Sequence, residues 1–355
     1  MKDRILTKTA LYGALFFVAA MSAIVYFSLN KSIEIRELSQ DGNAISESAD
    51  AANSEVTQET ASAEGLLLFS DEKLHTEYLC IPLPEIQTED ISIENHYMDS
   101  LLLIVIRNVD PTFYATNPLS GNYRNIVSAG YEAFDEGVKL SFGMNGMYEY
   151  KTVLEDGNLF VSFLNPKEVN DKIVVIDPAA GGQDPGCTDG TLREKDITLA
   201  VAVKLRKKLE ASGIKAYYTR MDDVNPSEVD RIELAEASKA DMYIRIEVDS
   251  KEDASIYGVT CLYNDEFFIP GFGNTELADI METEVVTAVK GKALGLEKSA
   301  TSDFTLRYAT IPATSVKVGC ISNRQEAGLL GREDYVEKIA DGIYKGILKA
   351  YEELV

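Results

Sequence analysis

Histidine is almost missing from this chain: two occur in 355 residues, His75 and His96, and none follows position 96. Imidazole is the commonest metal ligand and the usual proton carrier near neutral pH, so any metal or acid–base chemistry in the C-terminal half must do without it. Cysteine is scarce as well. The four residues, Cys80, Cys187, Cys261 and Cys320, show no Cys-x-x-Cys and no short spacing, which excludes a zinc ribbon and a thioredoxin-like motif. Positive charge is in deficit, with 34 Lys and Arg against 58 Asp and Glu, and a net charge of -24 repels polyanions, so nucleic acid is not expected as a partner. With only 10 Pro and 45% hydrophobic residues the chain is neither low-complexity nor collagen-like, and its length suits two domains plus tails.

Charge is absent from Thr9 to Asn30, a stretch that includes Leu11, Leu15, Phe16, Phe17, Ile24, Val25 and Phe27. As a helix it would span roughly 33 Å, enough for a bilayer core. Lys2, Arg4 and Lys8 precede it, which predicts a cytoplasmic N-terminus and export of the rest to the cell exterior. A cleavable signal peptide is the competing reading; the apolar run continues past Ala19, Ala20, Ser22 and Ala23 and is longer than a signal core, which favours an uncleaved anchor. From Ser39 to Glu64 the chain is acidic and polar, without a basic or aromatic residue, and reads as a flexible tether with a reach of roughly 28 Å. The predicted organisation is therefore a tail at 1–8, a membrane anchor at 9–30, an acidic linker at 31–64, a small β-rich module at 65–170 and an α/β domain at 171–355.

The β module is read from short apolar runs at Leu101–Ile106, Ile126–Ala129, Val138–Phe142 and Leu159–Phe163. Turn signals separate them, among them Asp135-Glu136-Gly137 and Asp156-Gly157-Asn158, and the pattern predicts a sandwich. From Lys172 the rhythm changes to strand then helix. Strands are expected at Lys172–Ile176, Ala216–Thr219, Met242–Val248, Val259–Tyr263 and Ser315–Cys320, and helices at Lys195–Ser212, Ser227–Ser238, Thr275–Val289 and Glu333–Leu354. This alternation predicts a largely parallel twisted sheet with helices on both faces.

In such a sheet ligands sit beyond the carboxyl ends of the strands. The segments to inspect are Asp177-Pro178-Ala179-Ala180-Gly181-Gly182-Gln183-Asp184-Pro185-Gly186, Glu194 at a helix start, Arg245-Ile246-Glu247-Val248-Asp249, and Lys317-Val318-Gly319-Cys320. The glycine-rich loop lacks a Walker Lys-Ser/Thr and a Rossmann spacing, so nucleotide binding is rejected. His75 and His96 read as exposed or hydrogen-bonded surface residues, and Cys187 and Cys320 as isolated buried thiols whose pairing stays open. Tyr217-Tyr218 and Phe267-Phe268 read as including core members, the second pair lying in a loop where exposed aromatics could touch glycan.

Residues from about 172 to 355 resemble the zinc-dependent N-acetylmuramoyl-L-alanine amidases of bacterial cell walls. The resemblance rests on the Asp177-Pro178 start, the Gly-Gly-x-Asp-Pro-Gly loop, Gly190 to Asp196, Thr219-Arg220, Arg231, Leu306-Arg307, Ile311-Pro312-Ala313, and Gly319 with Ser322-Asn323. Residues of about 90–165 resemble the AMIN domain that often precedes such amidases and binds cell wall. The resemblance implies a zinc ion held by His, Glu and His, with a further Glu as general base for hydrolysing the amide between muramic acid and L-alanine. Carried over residue by residue, the Glu ligand is Glu194. The first His falls on Ala180, the second on Glu247, with Arg245 in place of a nearby Ser, and the catalytic Glu falls on Lys317.

Two carboxylates are an incomplete hard-oxygen site, and an ammonium beside them repels a cation. Arg245, Glu247 and Asp249 alternate along one strand and so share a face, and Lys317 with Arg245 is expected to replace the metal's charge against Glu194 and Glu247. The expectation is a membrane-anchored amidase-like pseudoenzyme without zinc that binds peptidoglycan or cell-wall proteins, or regulates wall remodelling. The alternative is an active amidase with an oxygen-ligated metal on Glu194, Glu247 and Asp177 or Asp184; zinc is expected only if the family activity is retained.

Overall fold

The computed structural model describes residues 64–354 apart from 71–76, 85–87, 111 and 135. The predicted tail, anchor and nearly all of the linker lie outside the described residues, as does His75. Among the described residues no helix is long and apolar enough to cross a membrane.

The N-terminal part of this region is a β-sandwich. One sheet runs β1 (Glu64–Leu66), β6 (Ile126–Phe134), β7 (Gly137–Met144), β4 (Leu101–Arg107) and β3 (Ile91–His96), with every pair antiparallel. The other runs β5 (Ser120–Gly121), β2 (Leu79–Pro82), β9 (Asn158–Leu164) and β8 (Glu149–Glu155). The two-residue period of a strand sends Leu102, Ile104 and Ile106 of β4 inward beside Phe142, Leu140 and Val138 of β7. There they meet Leu79, Ile81, Leu159 and Val161 of the second sheet. Asp156 and Gly157 both take positive φ, as a tight two-residue hairpin requires, and so join β8 to β9. Strand β8 was not legible as an apolar run. Most of β8 is exposed, so nothing in its composition alternates.

From residue 173 the fold is mixed α/β. The strands β10 (Ile173–Pro178), β13 (Lys215–Tyr218), β14 (Met242–Asp249), β15 (Val259–Tyr263), β16 (Ala293–Lys298) and β17 (Ala313–Cys320) pair in the order β13-β10-β14-β17-β15-β16. A short hairpin, β11 (Thr188–Asp189) with β12 (Leu192–Arg193), precedes the first long helix. Four neighbouring pairs of the sheet are parallel and one, β15 with β17, is antiparallel. The predicted parallel sheet thus holds over β13, β10, β14 and β17. It reverses at β15, which follows β14 through residues 250–258 without a crossover helix.

Of two four-residue helices, α1 (Phe113–Thr116) lies in a connection of the sandwich and α2 (Pro166–Val169) in the link from β9 to β10. The longer helices α3 (Glu194–Ala211), α5 (Asn274–Val289) and α8 (Glu333–Glu353) cover one face of the α/β sheet. Their i, i+4 rows, Val201, Leu205 and Leu209, Leu277, Met281 and Val285, and Ile339, Ile343 and Ile347, form its main core with α7 (Arg324–Leu330). On the other face α4 (Glu228–Ser238) and α6 (Phe304–Tyr308) pack Ile232, Ala235 and Leu306 over Ile173, Val175 and Tyr243.

That second cluster also takes Met147, Tyr97 and Met98 from the sandwich. The Tyr97 ring meets Tyr217 edge-on at 5.2 Å between centroids, and its hydroxyl donates to the Tyr218 carbonyl at 3.3 Å while accepting from the Tyr218 amide at 3.2 Å. Glu149 accepts from the Tyr217 hydroxyl and pairs with Lys215 at 2.5 Å. Sandwich and α/β sheet therefore share one buried contact along the edge strand β13.

Candidate active site and its family

Strand β10 is buried along its whole length, so the carboxylate that closes it must be compensated. Asp177 is fully buried. It accepts from the Thr219 hydroxyl at 2.5 Å, the Tyr243 hydroxyl at 2.5 Å, Arg245 Nη1 at 2.8 Å and Arg231 Nη1. Burial alone would raise its pKa; Arg245 and Arg231, with the two hydroxyls, overcome burial and hold the carboxyl at about 2. Arg231 also donates to Asn225 at 2.7 Å and to the Ala180 carbonyl at 3.3 Å, while Arg220 donates to the carbonyls of Pro178, Ala179 and Lys195, each at 2.9 Å. Two guanidinium groups thus brace the loop that leaves β10, satisfying carbonyls that the chain reversal takes out of the ladder.

Ala180 sits in that loop, buried, at φ +60°. It presents no donor atom. Gly181 follows at φ +131°, where an added Cβ would lie 2.0 Å from the Val224 carbonyl oxygen, so only glycine fits. Asp184 bonds back to Gly181 through the main chain, and its exposed carboxylate accepts from the Gly186 amide at 2.9 Å.

Glu194 opens α3 and is buried. Its two oxygens accept from the Cys187 amide at 2.8 Å and the Val248 amide at 3.0 Å. Burial raises its pKa, against which the two amides work. Lys195 beside it points away, to the Gly182 carbonyl at 2.7 Å and Asp223 at 2.8 Å.

Glu247 on β14 stands in register with Lys317 on β17. As the alternation predicts, Arg245 and Glu247 share a face, and Arg245 Nε donates to Glu247 at 2.7 Å. The same guanidinium reaches Glu228 at 3.4 Å, so it bridges Asp177, Glu247 and Glu228. Lys317 departs from expectation. Its ammonium pairs with Asp249 at 3.3 Å, and neither Glu194 nor Glu247 is its partner. Asp249 holds a second cation, Lys251, at 2.9 Å. Burial raises the Asp249 carboxyl, and the two lysines more than offset this, leaving its pKa below the ordinary value. The predicted neutral cluster is therefore two separate pairings, Arg245 with Glu247 and Lys317 with Asp249, while backbone amides serve Glu194. A bulge between Glu247 and Asp249 shifts the register and brings Asp249 opposite Cys320, which the two-residue alternation could not foresee.

Asp303, which caps α6 by accepting from the Leu306 amide at 3.2 Å, also faces this site. Burial raises its pKa, and the neighbouring Glu247 adds to the rise. An Asp before a short helix reads only as a cap, so its proximity to Glu247 was invisible in the sequence.

The oxygen set proposed for a relocated metal does not assemble. Asp177 is consumed by two arginines, Asp184 caps its own loop, and among the described residues no group of three or more His, Cys, Asp or Glu converges to hold a metal ion. Cys187 and Cys320 are free thiols, each pushed up to about 11: burial comes first in both, reinforced by Glu194 at Cys187 and by Asp249 at Cys320. His96 is exposed and bonded to Glu94 at 3.1 Å, the surface role expected of it. Tyr217 and Tyr218 are core residues, but Phe267 and Phe268 are exposed, Phe268 by 83%, and the second pair is no part of the core.

Residues 174–349 match the family model described as N-acetylmuramoyl-L-alanine amidase. The chain is 30% identical over 185 residues to an uncharacterized Bacillus subtilis protein, YqiI, covering 52% of this chain and 87% of that one. It is 29% identical over 196 residues to the germination-specific N-acetylmuramoyl-L-alanine amidase of Bacillus subtilis, covering 51% and 81%. Among solved structures, the N-acetylmuramoyl-L-alanine amidase from Clostridium difficile 630 matches 51% of this chain and 97% of its own at 29% identity, with a TM-score of 0.48. Through its α/β domain the chain belongs to the N-acetylmuramoyl-L-alanine amidase family of the cell wall.

Proposed function

We propose that this protein is a membrane-anchored, extracytoplasmic amidase-fold pseudoenzyme that binds peptidoglycan or regulates cell-wall remodelling rather than cleaving the wall. The observation that carries this reading is the state of Glu247: at a position where a zinc ligand belongs by family resemblance, its carboxylate is held by Arg245 at 2.7 Å. The remaining residues do not fit the zinc that the family implies. Ala180 offers no ligand atom, both oxygens of Glu194 accept from amides, and Lys317, in register beside Glu247, brings an ammonium paired with Asp249 where the family has a carboxylate. Nor can Lys317 serve as a general base while it is an ammonium paired with Asp249. What the fold retains is the braced loop and the strand ends, a shaped surface without the groups of a hydrolase.

The uncharged segment 9–30 supports anchoring, and the acidic linker supports a tether that holds the folded part away from the bilayer. The test is metal content and turnover of the purified full-length chain. We expect no stoichiometric zinc and no release of peptides from peptidoglycan, with binding to sedimented walls retained. One tightly bound zinc per chain together with amide hydrolysis overturns the proposal.

A further inference from the structure

Where the sandwich meets the α/β sheet there is an open cleft of about 740 Å³, within the range of roughly 300–1,000 Å³ usual for ligand sites. None of Ala180, Glu194, Glu247 or Lys317 lines it. One wall is the end of β3 and the turn after it, with Tyr97 and Met98. The other is the loop after β13, with Met221 and Val224. These side chains make the walls partly apolar, and the shared buried contact of Tyr97 with Tyr217 and Tyr218 sets the distance between them.

The charge around the opening is one-sided. Asp99, Asp222 and Asp230 are exposed at its edge. The one arginine that lines it, Arg220, is buried, with its N–H groups donated to main-chain carbonyls and the Thr198 hydroxyl, so it does not present its charge to an occupant. His96 is bonded to Glu94. The cleft is thus an acid-rimmed slot with partly apolar walls. Both strands that lead into it, β3 and β13, are the outermost strands of their sheets. At the cleft the outward main-chain groups of Tyr218 are already taken by the Tyr97 hydroxyl, so an occupant is held by its side chains, and alternate side chains of an extended chain point to opposite sides, one set toward the carboxylates and the other toward the apolar residues.

We propose that this cleft binds a short, extended, lysine-bearing peptide segment, its ammonium groups on Asp99 and Asp222 and its intervening apolar side chains on Met98, Met221 and Val224. The inference does not rest on the reading of the amidase site, since none of Ala180, Glu194, Glu247 or Lys317 takes part in it.

The test is fluorescence anisotropy of a labelled peptide alternating lysine and valine, titrated with the full-length protein in detergent. Exposed charge pairs contribute little each, so Asp99→Asn with Asp222→Asn should weaken binding about fivefold, and rising salt should weaken it further. Glu352→Gln with Glu353→Gln, which removes the same charge at the far end of α8, should leave binding unchanged and so separates the cleft from the general attraction of a chain of net charge -24. Val224→Trp should block the slot. Absence of binding, equal binding of the Nε-acetylated peptide, an equal loss from the α8 variant, or full binding by the Val224→Trp protein each overturns the proposal.

Discussion

Replacing Arg245 by Met removes the cation that ties Asp177, Glu247 and Glu228 together. Its consequences can be worked out from the contacts. Asp177 is fully buried and would keep only Arg231 and two hydroxyls, while Glu247 would lose its hydrogen-bond donor. Removing one partner from a buried ion pair typically costs about 3–5 kcal/mol, because the remaining charge is left desolvated. An independent bound comes from linkage. Holding the Asp177 carboxyl at about 2 rather than its ordinary 3.8 corresponds to about 2 kcal/mol of stability at pH 7, of which Arg245 supplies the larger opposing contribution.

The sign follows from the depressed pKa. The contribution is complete above the unfolded value near 3.8 and disappears as pH falls through the folded value near 2. In the Met variant the Asp177 pKa rises, so its proton is taken up earlier on acidification and the penalty is relieved. The stability gap between wild type and variant should therefore be about 3–5 kcal/mol at pH 7, a drop of roughly 10 °C in Tm. It should narrow by roughly 1 kcal/mol or more by pH 3. Urea denaturation followed by circular dichroism between pH 7 and pH 3 measures both. Adding Glu247→Gln to the variant should restore about 1 kcal/mol by removing the second stranded carboxylate. A gap below about 1 kcal/mol at pH 7, or one that does not change with pH, would refute the account of Arg245 as the group that compensates the buried Asp177.

Lys317→Met should be mild, about 1 kcal/mol or less, because Asp249 keeps Lys251 at 2.9 Å; a loss of several kcal/mol in the same denaturation assay would mean that Lys317 does serve Glu194 and Glu247 after all. Restoring the family chemistry needs four changes, since Arg245 occupies the carboxylate face: Ala180→His, Arg245→Ser, Glu247→His and Lys317→Glu together should produce zinc binding measurable by calorimetry, whereas the same set with Arg245 kept should bind more weakly. Gly181→Ala should destabilise by about 3 kcal/mol or more, because the new methyl meets the Val224 carbonyl at 2.0 Å and the loop cannot retreat from Arg220 and Arg231; a Tm within a degree or two of wild type would contradict the rigid loop.

Several elements were written in local pattern and needed no tertiary information. The i, i+4 rows of α3 and α8, the continuous apolar start of strand β10, the two-residue alternation in the second half of β14, and the Asp156-Gly157 turn each follow from the period of a helix or strand or from the φ that a turn demands. The scarcity of histidine and the residues Ala180, Glu247 and Lys317 at successive strand ends likewise stood in the sequence, because a parallel sheet sends its carboxyl ends to one edge whatever its details. Which charge pairs with which did not. Arg245 was legible as a neighbour of Glu247 from two-residue spacing, but its hold on Asp177 depends on β10 lying beside β14. Lys317 went to Asp249 because a bulge alters the register by one residue. Asp303 enters from a loop after β16, and the cleft exists only because Tyr97 of the sandwich docks on the edge strand β13. Periodicity reaches a few residues along the chain, whereas these contacts join positions 50 to more than 100 apart, and only the packed sheets bring them together.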